Sequence, residues 1–258
     1  MGIKGLTAAI QTLTSIPMPG KGDKDLSLAL PWFPVVGLLL GIVLWIAGFL
    51  WALLPFSGWS FGCAMLLVIL DVLLTRGLHL DGLADWADSM GGFGRDRRLA
   101  IMKDTSVGVF GTIAVLLCLI SKLVIFERLF SSETFLWIVP VMVLSRAMMT
   151  ELIATLPYAR SSDGMARPFV ENAGKGKRIS SLIIAGSLCL ISGPAGLALL
   201  IIAWSVTMIY RVYCLKKFGG ITGDLLGAAD EINEVILMAL CALPGQYMSV
   251  LMGWGWLS

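Results

Sequence analysis

Long apolar runs without charge occupy most of this sequence, and they limit its fold more than any other feature. The cleanest run, residues 34–54, matches the roughly 20 residues that a helix needs to cross the hydrocarbon core of a bilayer. Hydrophobic residues make up 57% of the 258 residues and charged residues 14%, whereas soluble chains have about 45–50% and about 25%. The sequence excludes a water-soluble monomer and predicts an all-α, polytopic integral membrane helical bundle.

We count about seven transmembrane helices. The candidate spans are residues 34–54, 60–75, 109–126, 135–156, two within 181–212, and 232–252. The stretch 181–212 is too long for one span, and Gly193-Pro194 near its middle is a turn signal that divides it. Because no linker or internal repeat interrupts the chain, we predict a single integral membrane domain over residues 1–258.

The distribution of lysine and arginine predicts the orientation. Most of these residues lie in the N-terminal segment and in loops 76–108, 157–180 and 213–231. The alternate segments 55–59, 127–134, 193–195 and 252–258 together carry only Arg128. Since positive charge is retained on the cytoplasmic side, we expect a multi-pass protein of the inner membrane with its N-terminus inside and its C-terminus outside. The net charge of +2 and the absence of a basic stripe argue against a nucleic-acid partner.

Acidic residues gather in two of the predicted cytoplasmic loops. In the first, Asp81, Asp85 and Asp88 stand at i, i+4 and i+7, within an arc of about 60° if the segment is helical apart from Gly82. Like charges at this spacing repel each other, and a hard divalent cation such as Mg²⁺ relieves the repulsion with oxygen ligands. The alternative is a solvated acidic helix end.

The second acidic cluster follows a glycine-rich turn, residues 219–223. Asp224, Glu231 and Glu234 stand at i, i+7 and i+10, again within about 80° on a helix. Asp230 points about 100° away from Glu231, so we expect it to be solvated or outside the metal set.

Several basic groups between these clusters could hold an anion. Lys103 and Asp104 stand at the mouth of the third span, and Arg160 follows the fourth with a planar fork of donors that suits phosphate. Arg146 lies within the fourth span with Glu151, where an ionisable residue costs at least about 2.5 kcal/mol, so a paired or functional role is expected.

Three further ionisable residues have two interpretations each. Asp71 in the second span and Lys122 in the third can pair with each other or with the groups above. His79, the single histidine, is either a hydrogen-bonded structural residue or a proton acceptor beside Asp81.

Four ordered blocks resemble the cobalamin synthase family, the adenosylcobinamide-GDP ribazoletransferases. They are residues 79–88, 101–111, 157–160 and 219–234, and the resemblance extends from about residue 13 to residue 234. Ser15, where a basic residue is expected, and Asp230, at a usually uncharged position, depart from the family pattern.

The resemblance implies a Mg²⁺-dependent transferase of phosphorus-containing groups, which performs the last nucleotide-loop assembly step of cobalamin biosynthesis. A hydroxyl of α-ribazole, or of α-ribazole 5′-phosphate, displaces GMP from adenosylcobinamide-GDP and gives adenosylcobalamin or its 5′-phosphate. The active site would lie at the cytoplasmic face of the bilayer, and a homo-oligomer is compatible with the sequence.

The residue roles follow from this chemistry together with the spacing. We expect six carboxylates to hold Mg²⁺: Asp81, Asp85, Asp88, Asp224, Glu231 and Glu234. Substrate binding is assigned to Lys103, Asp104, Arg146 and Arg160, of which the three basic residues contact phosphate. Either Asp88 or His79 takes the proton from the hydroxyl.

Two other functions compete. A CDP-alcohol phosphotransferase-like lipid enzyme would use aspartates at helical spacing for the same displacement, but Asp85 stands where the arginine after Asp-Gly-Leu-Ala is expected. A cation-coupled transporter would also place acids near membrane helices. Its main support is the set Asp71, Lys122, Arg146 and Glu151, whereas the acidic clusters are predicted at the cytoplasmic mouth.

Overall fold

The computed structural model describes residues 2–19, 25–161, 164–251 and 253. In these residues the regular structure is helical, and the one pairing of extended segments is an isolated bridge between Tyr158 and Ile221. The all-α prediction is confirmed.

The helices follow one another through the described residues in this order: α1 (Ile3–Leu13), α2 (Phe33–Ala52), α3 (Ser60–Thr75), α4 (Leu78–Ser89), α5 (Arg95–Ile101), α6 (Val109–Ser131), α7 (Ile138–Thr155), α8 (Arg167–Glu171), α9 (Lys175–Ile191), α10 (Pro194–Phe218), α11 (Gly223–Ala242) and α12 (Tyr247–Val250). Short 3-10 helices, Leu26–Trp32 and Phe135–Trp137, lead into α2 and α7. Helices therefore occur at each of the seven predicted positions, although the seventh, 232–252, is divided between the end of α11 and α12. Gly193 separates α9 from α10 as expected.

Fewer segments are long and apolar enough to cross a bilayer. Within the described part of the chain four qualify, Leu26–Ala52, Val109–Ser131, Phe135–Thr155 and Pro194–Phe218. The pair α3 and α4 qualifies only when joined, and its two helices meet at 88°. The chain is thus a multi-pass membrane protein with four or five such segments, and the count of seven is not confirmed. Helix α9 has only 17 residues, and α11 carries four carboxylates.

Two helix boundaries differ from the prediction. Helix α4 runs unbroken through Gly82, and the chain instead turns before it, where Arg76 and Gly77 adopt positive φ angles. Helix α11 begins after Thr222, whose hydroxyl accepts a hydrogen bond from the Leu225 N–H, and ends at Ala242. The acidic block and the first half of the last apolar run are therefore one helix. Met252 and residues 254–258 of the predicted outer C-terminus lie outside the described residues.

Helix α7 is the centre of the bundle. It packs against α2, α9, α10 and α11, and nearly all of its side chains from Ile138 to Ile153 are buried. Its polar residues consequently face protein rather than lipid, which is the arrangement that a low-dielectric membrane favours.

Helices α4 and α11 approach each other closely through two glycines. A Cβ atom on Gly82 would lie 2.6 Å from the carbonyl oxygen of Asp224, and one on Gly227 would lie 3.0 Å from the Cα atom of His79. Small residues allow helix backbones to approach in this way. The contact places the first acidic block beside the start of the second.

We predict that Gly82→Ala lowers the free energy of unfolding by about 1–3 kcal/mol, because the added methyl group forces α4 away from the α11 backbone. The matched control is Gly186→Ala in α9, where the added Cβ meets only Leu200 at 3.9 Å. This control should be neutral or stabilising by up to about 1 kcal/mol, since alanine is the better helix former. Thermal unfolding in detergent measures both, and equal midpoints for Gly82→Ala and the wild type would contradict the close contact.

Candidate active site

A cavity of about 1070 Å³, here called the large cavity, lies between α1, α4, α6, α7, α8 and the start of α11. Its walls are mostly apolar and include Phe33, Met149 and Phe169. Small-molecule pockets commonly measure about 300–1000 Å³, so this volume suits a bulky ligand. The carboxylates that line it among the described residues are Asp81 and Asp224, one from each acidic block.

Three predicted metal ligands lie near one another, and two of them, Asp81 and Asp224, line this cavity. Asp81 is exposed in the first turn of α4, Asp85 is half-buried one turn later, and Asp224 lies in the first turn of α11. The carboxylates are close enough for Asp224 and Asp81 to repel Asp85 and for Asp81 to repel Asp224. The near contact of Gly82 with the Asp224 backbone produces this arrangement.

Arg160 is fixed beside Asp224. Its Nη2 atom lies 2.6 Å from the Asp224 Oδ2 atom and also donates to the carbonyl oxygen of Met102 at 3.1 Å. The bridge between residues 157–159 and Ile221 aligns the two segments, because Ala159 N–H donates to the Ile221 carbonyl and Ile221 N–H donates to the Pro157 carbonyl, both at 2.9 Å. No sequence pattern signals this pairing.

Asp224 is partly buried, and this burial determines its titration. Burial raises the pKa of Asp224 above its ordinary value, although the Arg160 guanidinium opposes the change. A further positive charge stabilises the ionised form of a partly buried carboxylate more than that of an exposed one.

Asp88 has a different set of partners. Its two carboxylate oxygens accept hydrogen bonds from the N–H groups of Gly108 at 2.7 Å and Gly111 at 2.8 Å. These N–H groups belong to the start of α6, which otherwise lacks a capping side chain. Seven residues of helix also separate Asp88 from Asp81 by about 10 Å along the α4 axis. The structure therefore gives Asp88 a capping position, and its metal and proton-acceptor roles stay predictions.

The other acidic residues enter a buried network of charges. The Lys122 Nζ atom lies 2.7 Å from Asp71, 2.7 Å from Glu231 and 2.6 Å from Glu234. The Arg146 guanidinium pairs with Glu234. All five side chains are at most 5% exposed. The predicted pairing of Asp71 with Lys122 is confirmed.

These contacts bear on three expectations from the sequence. Glu231 and Glu234 share a helical face with Asp224 but lie about 10 and 15 Å further along the axis, where Lys122 and Arg146 neutralise them. Arg146 is fully buried in ion pairs and does not line the large cavity, and its contact with phosphate stays a prediction. Asp230 is also fully buried rather than solvated.

His79 pairs with Asp230. The Nδ1 atom lies 2.6 Å from the Asp230 Oδ2 atom, and Arg146 lies 3.4 Å from the same oxygen. His79 is 1% exposed and lines the large cavity. The carboxylate fixes the orientation of the ring, and the role of His79 as proton acceptor stays a prediction.

Lys103 and Asp104 lie in the exposed loop between α5 and α6. Asp104 accepts a hydrogen bond from the Ser106 N–H at 3.0 Å, and this bond lowers the pKa of the carboxyl group. Asp104 lines neither cavity, and the structure shows it in a local turn. Lys103 instead lines a second cavity of about 330 Å³, here called the small cavity, together with Arg160 and Arg95.

The predicted six-carboxylate site is therefore divided. In the described part of the chain, no group of three or more His, Cys, Asp or Glu side chains is arranged ready to hold a metal ion. Asp81, Asp85 and Asp224 remain near one another. Their counter-charge is Arg160, which pairs with Asp224. Mg²⁺ commonly takes one or two carboxylates together with substrate phosphates, which such a cluster can provide.

We predict that Lys122→Met lowers the free energy of unfolding by about 3–5 kcal/mol, because it leaves buried carboxylates without their cation. Lys217→Met is the matched control, since Lys217 is exposed at the end of α10. Thermal unfolding in detergent should separate the two variants clearly. A Lys122→Met protein as stable as the control would contradict the network.

The chain matches the family model described as Cobalamin-5-phosphate synthase over residues 5–242. A curated protein of Chlorobium phaeobacteroides (strain BS1), named adenosylcobinamide-GDP ribazoletransferase, is 42% identical over 253 residues, which cover 93% of this chain and 100% of the relative. Proteins of the same name from Chlorobium chlorochromatii (strain CaD3) and Syntrophobacter fumaroxidans (strain DSM 10017 / MPOB) are 39% and 36% identical, over 93% and 85% of this chain and 96% and 88% of their own lengths. No solved structure matches the chain significantly. Because the family match extends over nearly the whole sequence, the chain belongs to the cobalamin-5-phosphate synthase family.

Proposed function

We propose that this protein is an adenosylcobinamide-GDP ribazoletransferase. The observation that carries the proposal is the large cavity, into which two sequence blocks about 140 residues apart each bring a carboxylate, Asp81 and Asp224. A volume of about 1070 Å³ is suited to a bulky corrinoid. The names of the relatives point to the same substrates.

We propose that Asp81, Asp85 and Asp224 hold Mg²⁺. Two observations support this assignment. The three carboxylates supply oxygen ligands from two helices, and they repel one another. The lysine and arginine that neutralise Glu231 and Glu234 do not relieve this repulsion. When bound, the ion neutralises charge on the pyrophosphate. Glu231, Glu234 and Asp88 are left out of this set because each already has strong partners.

The remaining chemistry belongs to the side chains around the cavity. A hydroxyl of α-ribazole, or of its 5′-phosphate, attacks the phosphorus on the corrinoid side, and GMP leaves with the bridging oxygen. Arg160 binds the phosphate oxygens through its fork of donors. Of the two predicted proton acceptors, His79 lines the large cavity and Asp88 does not, which favours His79.

We place this site at the cytoplasmic face of the inner membrane. The support is the concentration of lysine and arginine in the loops that carry the site residues, 76–108, 157–180 and 213–231.

We predict that purified protein in detergent with Mg²⁺ releases GMP from adenosylcobinamide-GDP only when α-ribazole or its phosphate is present. Asp81→Asn should lower kcat/KM by about 10²- to 10³-fold, the usual effect of removing one electrostatic stabiliser, without unfolding the protein. Glu171→Gln, at an exposed residue paired with Arg167, should retain activity. Release of GMP without the ribazole, or consumption of CDP-diacylglycerol instead, would reject the proposal.

The metal assignment has a test that does not depend on activity. We predict that Mg²⁺ at about 100 times its Kd stabilises the wild-type protein by about 2.7 kcal/mol, measured by thermal unfolding with and without EDTA. The stabilisation should disappear in Asp81→Asn and Asp224→Asn. It should persist in Glu231→Gln, although that variant starts from a lower midpoint because Lys122 loses a charged partner. The opposite pattern would place the metal in the buried network.

A further inference from the structure

The large and small cavities adjoin one ion pair. Asp224 lines the large cavity, Arg160 lines the small one, and the two side chains meet at 2.6 Å. The pair therefore stands between two spaces of very different size, about 1070 and about 330 Å³. A reacting phosphate bound at this pair would have one space on either side.

The small cavity carries positive charge. Three basic residues line it, Arg95, Lys103 and Arg160, against one acid, Asp96. The apolar part of its wall comes from Leu99, Ala100 and Ala159. Its volume is at the lower end of the range for small-molecule pockets. The small cavity is therefore too small for a corrinoid.

Arg95 is held in place without a counter-charge. Its Nε atom donates to the Phe218 carbonyl and its Nη2 atom to the Ala159 carbonyl, both at 2.8 Å. Among the residues that the structure describes, it makes no ion pair with a carboxylate. A guanidinium fixed in this way is prepared to bind an anion, because little side-chain freedom is lost on binding.

Arg160 contributes a second indication of a ligand. Its Nε–H group is buried and has no hydrogen-bond partner among the described residues. Buried donors are nearly always satisfied, so a ligand oxygen would complete this group.

We propose that the small cavity binds the GMP half of the corrinoid substrate, with Arg95 as a phosphate-recognition residue beside Lys103 and Arg160. The inference rests on the proposed function. In the reaction, the bond between the corrinoid-side phosphorus and the bridging oxygen breaks, and that oxygen leaves with GMP into the small cavity. The ribazole oxygen attacks from the large cavity, forms the new P–O bond and gives up its proton to His79, which lines that cavity. The attacking and leaving oxygens then lie on opposite sides of the phosphorus, as in-line displacement requires.

Direct binding of GMP to the detergent-purified full chain tests the pocket, with guanosine and α-ribazole 5′-phosphate as comparison ligands. Lys103→Ala and Arg95→Lys should each weaken GMP binding about tenfold or more, because each removes or misplaces a charge-assisted hydrogen bond. Guanosine, which lacks the phosphate, should bind weakly to every form. Lys216→Ala and Arg97→Ala are the matched controls, at basic residues outside the small cavity, and should bind GMP as the wild type does.

Kinetics add a second measurement. Lys103→Ala should raise the KM for adenosylcobinamide-GDP and the inhibition constant for GMP together, and leave the KM for α-ribazole unchanged. If transferase activity is normal but the Lys103 and Arg95 variants bind GMP as the wild type does, the proposed GMP site is wrong and the proposed function stands. The same conclusion follows if these residues bind α-ribazole 5′-phosphate more tightly than GMP. Absence of ribazole-dependent GMP release, with GMP binding still dependent on Lys103, would instead reject the proposed function.

Discussion

The ion cluster around Lys122 is the interaction on which the rest of the structure depends. The Lys122 ammonium group from α6 contacts one carboxylate from α3 and two from α11. Arg146 from α7 pairs with one of these, Glu234 of α11. In a low-dielectric interior each of these charges is unfavourable alone, so they stabilise the bundle only when all helices are in register. The cluster thereby fixes the rotation of α11, and with it the direction in which Asp224 points.

Helix α11 passes through two different environments along its length. Near its start, Asp224 lies beside the large cavity and Arg160. Two and three turns later, Glu231 and Glu234 are sealed among Lys122 and Arg146, and Asp230 orients His79. Helix α4 repeats the arrangement, because Asp81 faces the cavity while Asp88 caps α6. The His79–Asp230 pair joins the two helices, and the carboxylates near the helix starts remain available for chemistry.

The contact between α4 and α11 brings the cavity-facing ends of these two helices into one site. Glycine at positions 82 and 227 lets the backbones approach, and the bridge at Ile221 adds Arg160 from a third segment. The Arg160–Asp224 pair then lies between a large apolar cavity and a small basic one. A transferase that joins two bulky groups and releases an anionic leaving group needs spaces with these two characters.

The sequence by itself determined the positions of the helices and the residue blocks of the site. Apolar runs predict helices because backbone groups in hydrocarbon must be satisfied internally, and helices occur at all seven predicted positions, the last of them divided after Ala242. The spacing of Asp81, Asp85 and Asp88 correctly indicated a shared face, and the family blocks pointed to the same residues. An angular arc, however, ignores the rise of 1.5 Å per residue, so six carboxylates looked like one site. Only the tertiary structure decided which of them are neutralised, because their partners Lys122 and Arg146 lie more than 80 residues away and charge pairing at that separation depends on helix packing.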